Sequence, residues 1–96
     1  MGCMRNEAVE RKWLDAQAEI RAAVATFPNA ACLIPHWDPV DLEDGLQWVQ
    51  GRIYEGFYVK FRVDELNGHA AVRFLYWDDG DDEPTNWPEN NLPSAR

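Results

Sequence analysis

The sequence predicts a single small α+β domain: an N-terminal amphipathic helix, a second short helix and an antiparallel β-hairpin, followed by an irregular acidic C-terminal tail. Three observations carry this expectation. Apolar residues recur at helical spacing over the first quarter of the chain, they alternate with polar ones from residue 52 onward, and Asn67-Gly68 breaks the alternation where a two-residue turn would fall. A chain of 96 residues is enough for one modest core and no second domain. Residues 1–83 form that domain and 84–96 a proline-rich tail.

Over residues 6–27, Val9, Trp13, Ala16, Ile20, Ala23, Val24 and Phe27 fall on one stripe of a helix. Asn6 is its expected N-cap and Pro28 its stop. Leu14, Ala18, Ala22 and Ala25 make a shallow strip on the opposite side, read either as plain helix propensity or as a face that lets another helix approach.

The apolar run Ala30-Ala31-Cys32-Leu33-Ile34 is too short for periodicity to separate a buried strand from a packed connector. Asp38-Pro39 then reads as a helix start, with Asp38 as N-cap, Pro39 in the first helical position and Asp41 in the first turn. Leu42, Leu46 and Val49 are its apolar face and Gly51 its C-terminal cap, while Glu43, Asp44, Gln47 and Gln50 point away.

A strand is expected over residues 52–64. Ile53, Phe57, Val59, Phe61 and Val63 take one face, Arg52, Tyr54, Tyr58, Lys60, Arg62 and Asp64 the other. Centring the hairpin on Asn67-Gly68 sets Val63 opposite Val72, Phe61 opposite Phe74 and Val59 opposite Tyr76 on the core side. On the outer side it sets Tyr58 opposite Trp77, Lys60 opposite Leu75 and Arg62 opposite Arg73. Two strands are not stable alone, so the hairpin must pack on the first helix and gain another strand, from residues 30–34 or from a partner's edge.

The net charge of −8 is concentrated in two segments. Residues 28–51 hold Asp38, Asp41, Glu43 and Asp44 and no Lys or Arg, and residues 78–96 hold Asp78, Asp79, Asp81, Asp82, Glu83 and Glu89 against Arg96 alone. Such concentration repels nucleic acid and attracts basic partners. The loop 78–83 does not fit a calcium site: with Asp78 first, Gly80 takes the third position, where a ligand belongs, and Glu83 the sixth, where glycine belongs. It reads either as a solvated strand end or, with Glu43 and Asp44, as an imitation of phosphate spacing.

Catalytic equipment is sparse. Ser94 is the lone serine and lies in the tail, Cys32 and His36 are separated by Pro35, and His69 follows the expected turn in a solvent-facing position. No glycine-rich phosphate loop and no zinc-type spacing of Cys or His occurs, so no catalytic residue, metal or cofactor is expected. Cys3 and Cys32 are too few for a disulfide framework, which suits a reducing, cytoplasmic compartment. Neither a secretory signal nor a membrane span is read, and Met1-Gly2-Cys3 lacks the Ser or Thr at position six that acylation favours.

The expectation that follows is a non-enzymatic protein that binds and inhibits a target by covering its basic, nucleic-acid-binding surface, using Asp78, Asp79, Asp81, Asp82, Glu83, Glu43 and Asp44, with Trp37 and Trp87 as aromatic anchors. In composition the chain is similar to phage inhibitors of host defence, anti-CRISPR proteins among them, and to immunity proteins against nuclease toxins; no motif identifies a family. One alternative is a homodimeric adaptor whose acids serve solubility. Another is a single-stranded nucleic-acid binder using Tyr58, Lys60, Arg62, Arg73 and Trp77, whose mixed cations and rings suit bases and phosphates. Arg62 opposite Arg73 demands a compensating charge, which the protein's own carboxylates can supply.

Overall fold

The computed structural model describes residues 7–89. Its elements run α1 (Glu7–Ala23), β1 (Ala30–Leu33), β2 (Val40–Asp41), α2 (Leu42–Tyr54), β3 (Tyr58–Leu66) and β4 (His69–Trp77). The four strands form one mixed sheet in the order β2-β1-β4-β3, with β1 parallel to β4 and the other pairs antiparallel.

The stripe of α1 buries Trp13, Ile20 and Val24, with Val9, Ala16 and Phe27 partly covered. Ala23 departs from the expected stripe: it is exposed, at the last residue of the helix. The expected cap, Asn6, lies outside the described residues. Leu14 is 42 % exposed on the other side.

Residues 30–33 are a strand, and the hairpin's further partner is therefore internal. Ala31 pairs with Ala71 and Cys32 with Val72. The second helix starts later than Asp38-Pro39 suggests. Val40 and Asp41 first pair with Cys32 and Ala31, and Asp41 then caps the helix by accepting the Asp44 N–H at 2.8 Å. Pairing to β1 holds the chain extended through residue 41, so the cap moves to the next available aspartate.

The helix also runs through Gly51, because Ile53 extends its buried face beyond Leu46 and Val49. It ends at Tyr54, and the turn out of it is made by Gly56 (φ 95), where Gly56 N–H donates to Ile53 O and Phe57 N–H to Arg52 O, both at 3.0 Å. Residues 52–57 are thus helix end and turn rather than strand, and β3 begins at Tyr58. The hairpin consequently differs from expectation in extent and setting, being half of a four-stranded sheet. Its Cα partners include Val63–Val72, Phe61–Phe74 and Arg62–Arg73, closed by Asn67 (φ 55) and Gly68 (φ 82), the two positive φ values of a type I′ turn.

Both helices lie on the inner face of the sheet, where Cys32, Val72, Phe74, Leu46, Val49 and Trp48 share one core. Trp48 meets Phe74 at 5.7 Å and Tyr76 edge-on at 5.2 Å between ring centroids. Gly45 lets α2 approach β1 closely: a Cβ there would stand 2.4 Å from Cys32 Sγ. Burial, then the nearby Asp41 charge, pushes the Cys32 thiol up to about 12. Among the described residues no helix is long and apolar enough to cross a membrane.

Candidate functional site: a strapped sheet face

Among the described residues no helix lies on the outer face of the sheet, yet Leu33, Ala71 and Leu75 on it are buried. By register this face also presents Tyr58, Lys60, Arg62 and Asp64 from β3 and Arg73 and Trp77 from β4. The basic and aromatic residues singled out in the sequence are therefore adjacent. Tyr58 and Trp77 stack at 5.6 Å between centroids, with Lys12 of α1 reaching over the Tyr58 ring at 5.9 Å.

The facing arginines find their compensating charge in Asp64. One oxygen, Oδ2, accepts from Arg73 Nε at 2.8 Å and from Arg62 Nη2 and Nε at 3.1 and 3.2 Å. Chiefly through the Arg73 bond, with Arg62 adding to it, the Asp64 carboxyl is held below the usual carboxylate range. Alternation places residues 62 and 64 on the same side of β3, so this bridge follows from the strand itself.

After Trp77 the chain turns back across this face. Asp79 Oδ1 accepts the Tyr58 hydroxyl at 2.8 Å, and this bond is the main cause that raises the Tyr58 phenol above its ordinary range. Glu83 Oε2 accepts from Lys60 Nζ at 2.8 Å. Farther on, the Arg62 guanidinium lies 5.0 Å from the centroid of the Trp87 ring, and Arg73 Nη1 donates to the Pro88 carbonyl oxygen. Residues 79–88 thus form a strap, bound at four places to the basic-aromatic face. Trp87 and Pro88 are half-buried; Leu92, the other expected tether, lies outside the described residues.

The strap divides the second acidic segment. Asp79 and Glu83 are bound to the sheet, whereas Asp78, Asp81 and Asp82 are exposed and form no ion pair among the described residues. A turn bond from Asp81 N–H to Asp78 O at 3.0 Å shapes the loop.

The first acidic segment sits elsewhere. Asp41 pairs with Ala31, which pairs with Ala71, six residues before Trp77 along β4 and so about 20 Å from the loop. Glu43 is engaged by Arg21 of α1, Oε2 at 3.0 Å from Nη1 and Oε1 at 3.2 Å from Nη2, and that bond lowers its carboxyl below the ordinary range. Asp44 is exposed at the start of α2, and Trp37 is 52 % exposed in the turn after β1. Asp41, Glu43 and Asp44 thus stand toward the opposite end of the sheet from the 78–83 loop, whereas the turn after β1 that carries Trp37 and Asp38 is at the loop's end, because β1 runs parallel to β4.

His36 is exposed and His69 half-buried rather than solvent-facing. Among the described residues no group of His, Cys, Asp and Glu is arranged to hold a metal ion. One feature escaped the sequence reading: Arg52, expected on the outside of a strand, lies at the end of α2 between the rings of Trp48, Phe57 and Tyr76, 5.7, 5.8 and 6.0 Å away, and bonds Glu55 at 2.8 Å. Its signal was Gly56, the residue that stops the helix.

The chain matches no protein-family model, no curated protein and no solved structure. The fold and site define a class by themselves: a small α+β domain with a helix-covered inner sheet face and a strapped outer one.

Proposed function

We propose that this protein is a non-enzymatic binder that inhibits a target protein by presenting the acidic corner at residues 78–82 to a basic, nucleic-acid-binding surface. The observation that supports this reading is the anchoring of the corner at Asp79 and Glu83, with Asp81 and Asp82 exposed between them and Asp78 just before. A loop held at both ends loses less freedom on binding, and unpaired carboxylates steer a basic partner. Asp44 and Glu43 lie too far away to share one compact footprint with the corner and serve a second, peripheral contact, whereas Trp37, in the turn after β1, is at the corner's end of the sheet. No cofactor, nucleic acid or membrane enters this reading, and a cytoplasmic setting suits it.

The test is affinity capture from lysate at low and high salt, followed by association kinetics with the captured target. Asp78→Asn, Asp81→Asn and Asp82→Asn together should slow association about 10-fold or more at low salt and flatten its salt dependence. The same charge change at Glu7 and Glu10 should do far less; equal effects at both places would sink the reading.

A second reading, a homodimer, draws on β3, a nine-residue strand at the edge of the sheet with half-buried Val59, Phe61 and Val63. It requires a dimer in size-exclusion chromatography that persists at high salt.

A further inference from the structure

We infer that the outer face of β3 and β4 is a binding site for single-stranded nucleic acid, held shut in this conformation by residues 79–88 of the same chain. This goes beyond the acidic-corner reading: the binding residues are those of the sheet face, and Asp79 and Glu83, which anchor the corner, act here only as part of the cover. The strap meets each group of the face with the chemistry an oligonucleotide would offer. A carboxylate, in place of a phosphate, sits on Lys60; a flat indole, in place of a base, lies against Arg62; and a carbonyl oxygen receives Arg73. The stacked Tyr58 and Trp77 rings extend the platform, with Asp79 covering the Tyr58 hydroxyl.

Charge explains why the closed face is silent. Lys60, Arg62 and Arg73 exceed Asp64 by two charges, and Asp79 and Glu83 cancel them. Opening the strap therefore uncovers a cationic, aromatic strip on an otherwise acidic protein. The closure is also releasable. The strap has no regular structure, and its ion pair is about half exposed, with 52 % and 47 % of the two side chains open to water. Such contacts hold individually weakly and yield to a competing polyanion.

The test uses the full chain and a fluorescein-labelled oligothymidylate of about 12 nucleotides at low salt, read by polarisation. The variant Asp79→Asn, Glu83→Gln, Trp87→Ala should bind at least about 10-fold more tightly than the parent, and adding Arg62→Gln should abolish the gain. A charge-matched control, Asp78→Asn with Asp82→Asn, neutralises two acids while leaving the four strap contacts at Asp79, Glu83, Trp87 and Pro88 in place, and should gain nothing. The single variant Glu83→Gln should show a smaller gain and protects the test against failure of the triple variant to fold. Ultraviolet titration of the tyrosines reports the closure directly: the late-ionising Tyr58 of the parent should return to the ordinary range in Asp79→Asn. Equal gains in the control and the strap variant, or no gain in a folded strap variant, would overturn the inference. So would uptake of a synthetic 78–89 peptide without uptake of the oligonucleotide, since the face would then be a peptide groove. Loss of the acidic-corner reading leaves all these outcomes unchanged.

Discussion

On the inner side of the sheet, two helices bury Cys32, Val72 and Phe74 beneath apolar side chains, and the helices satisfy most of their own backbone groups. On the outer side, Leu33, Ala71 and Leu75 are buried on a face crossed by an irregular segment that holds on through two carboxylates, an indole and a main-chain carbonyl. The inner cover is broad and non-directional, so it forms and is lost with the whole fold. The outer cover consists of a few directional contacts, each exposed to competition from water and ions. The protein thus has one face built for stability and one whose cover can be exchanged.

The largest effects test the inner side. Phe74→Ala should cost about 3–5 kcal/mol, a large part of the stability of a domain this size, and show as a sharply lowered midpoint or loss of the cooperative denaturation transition. Leu46→Ala, on the buried face of α2, should cost about 3 kcal/mol, and Leu75→Ala, on the strapped face, about 2 kcal/mol because an irregular segment settles more easily into the space. Equal costs by urea denaturation would break the distinction between the two covers.

Gly45→Ala should come next, at about 1–3 kcal/mol, since its new Cβ meets Cys32 Sγ at 2.4 Å and Cys32 Cβ at 2.6 Å. Cys32→Ala should relieve part of that cost, which a double-mutant cycle would read as coupling between the two sites. Lys60→Gln or Glu83→Gln should change global stability by no more than about 1 kcal/mol, yet deprotect strap amides in hydrogen exchange while those of β4 stay protected. Joint deprotection of both would show the outer cover to be as cooperative as the inner one.

The smallest expected effect is an acid limb. Asp64 is held below the ordinary carboxylate value, so its contribution is fully present above pH ~4 and is lost as pH falls through the lower folded value. Asp64→Asn should flatten that part of the stability profile. An unchanged profile would mean that the bridge to Arg62 and Arg73 adds no stability.

How much of this was legible depended on how local the cause is. The α1 stripe, and the alternation that begins at Val59 with its turn at Asn67-Gly68, are set by neighbours in sequence. So was the need for an acid near Arg62 and Arg73, which Asp64 meets from two residues away. The misread stretch at 52–57 has a specific reason. Ile53 and Phe57, four apart, share a face in a strand and in a helix alike, so alternation could not choose between them.

The sequence by itself determined two amphipathic helices, the pairing of Phe61 with Phe74, and an excess of carboxylates in two segments, because spacing, turn chemistry and charge are properties of neighbouring residues. Only the tertiary structure decided that residues 30–33 run parallel to β4, that the helix cap falls on Asp41, and that Asp79 and Glu83 are bound to the sheet while Asp78, Asp81 and Asp82 form no ion pair among the described residues. These outcomes rest on contacts between residues well separated in the chain, from Cys32 with Val40 to Ala30 with Ala70. Such contacts leave no periodic trace in a sequence, since they depend on where the sheet brings the chain back.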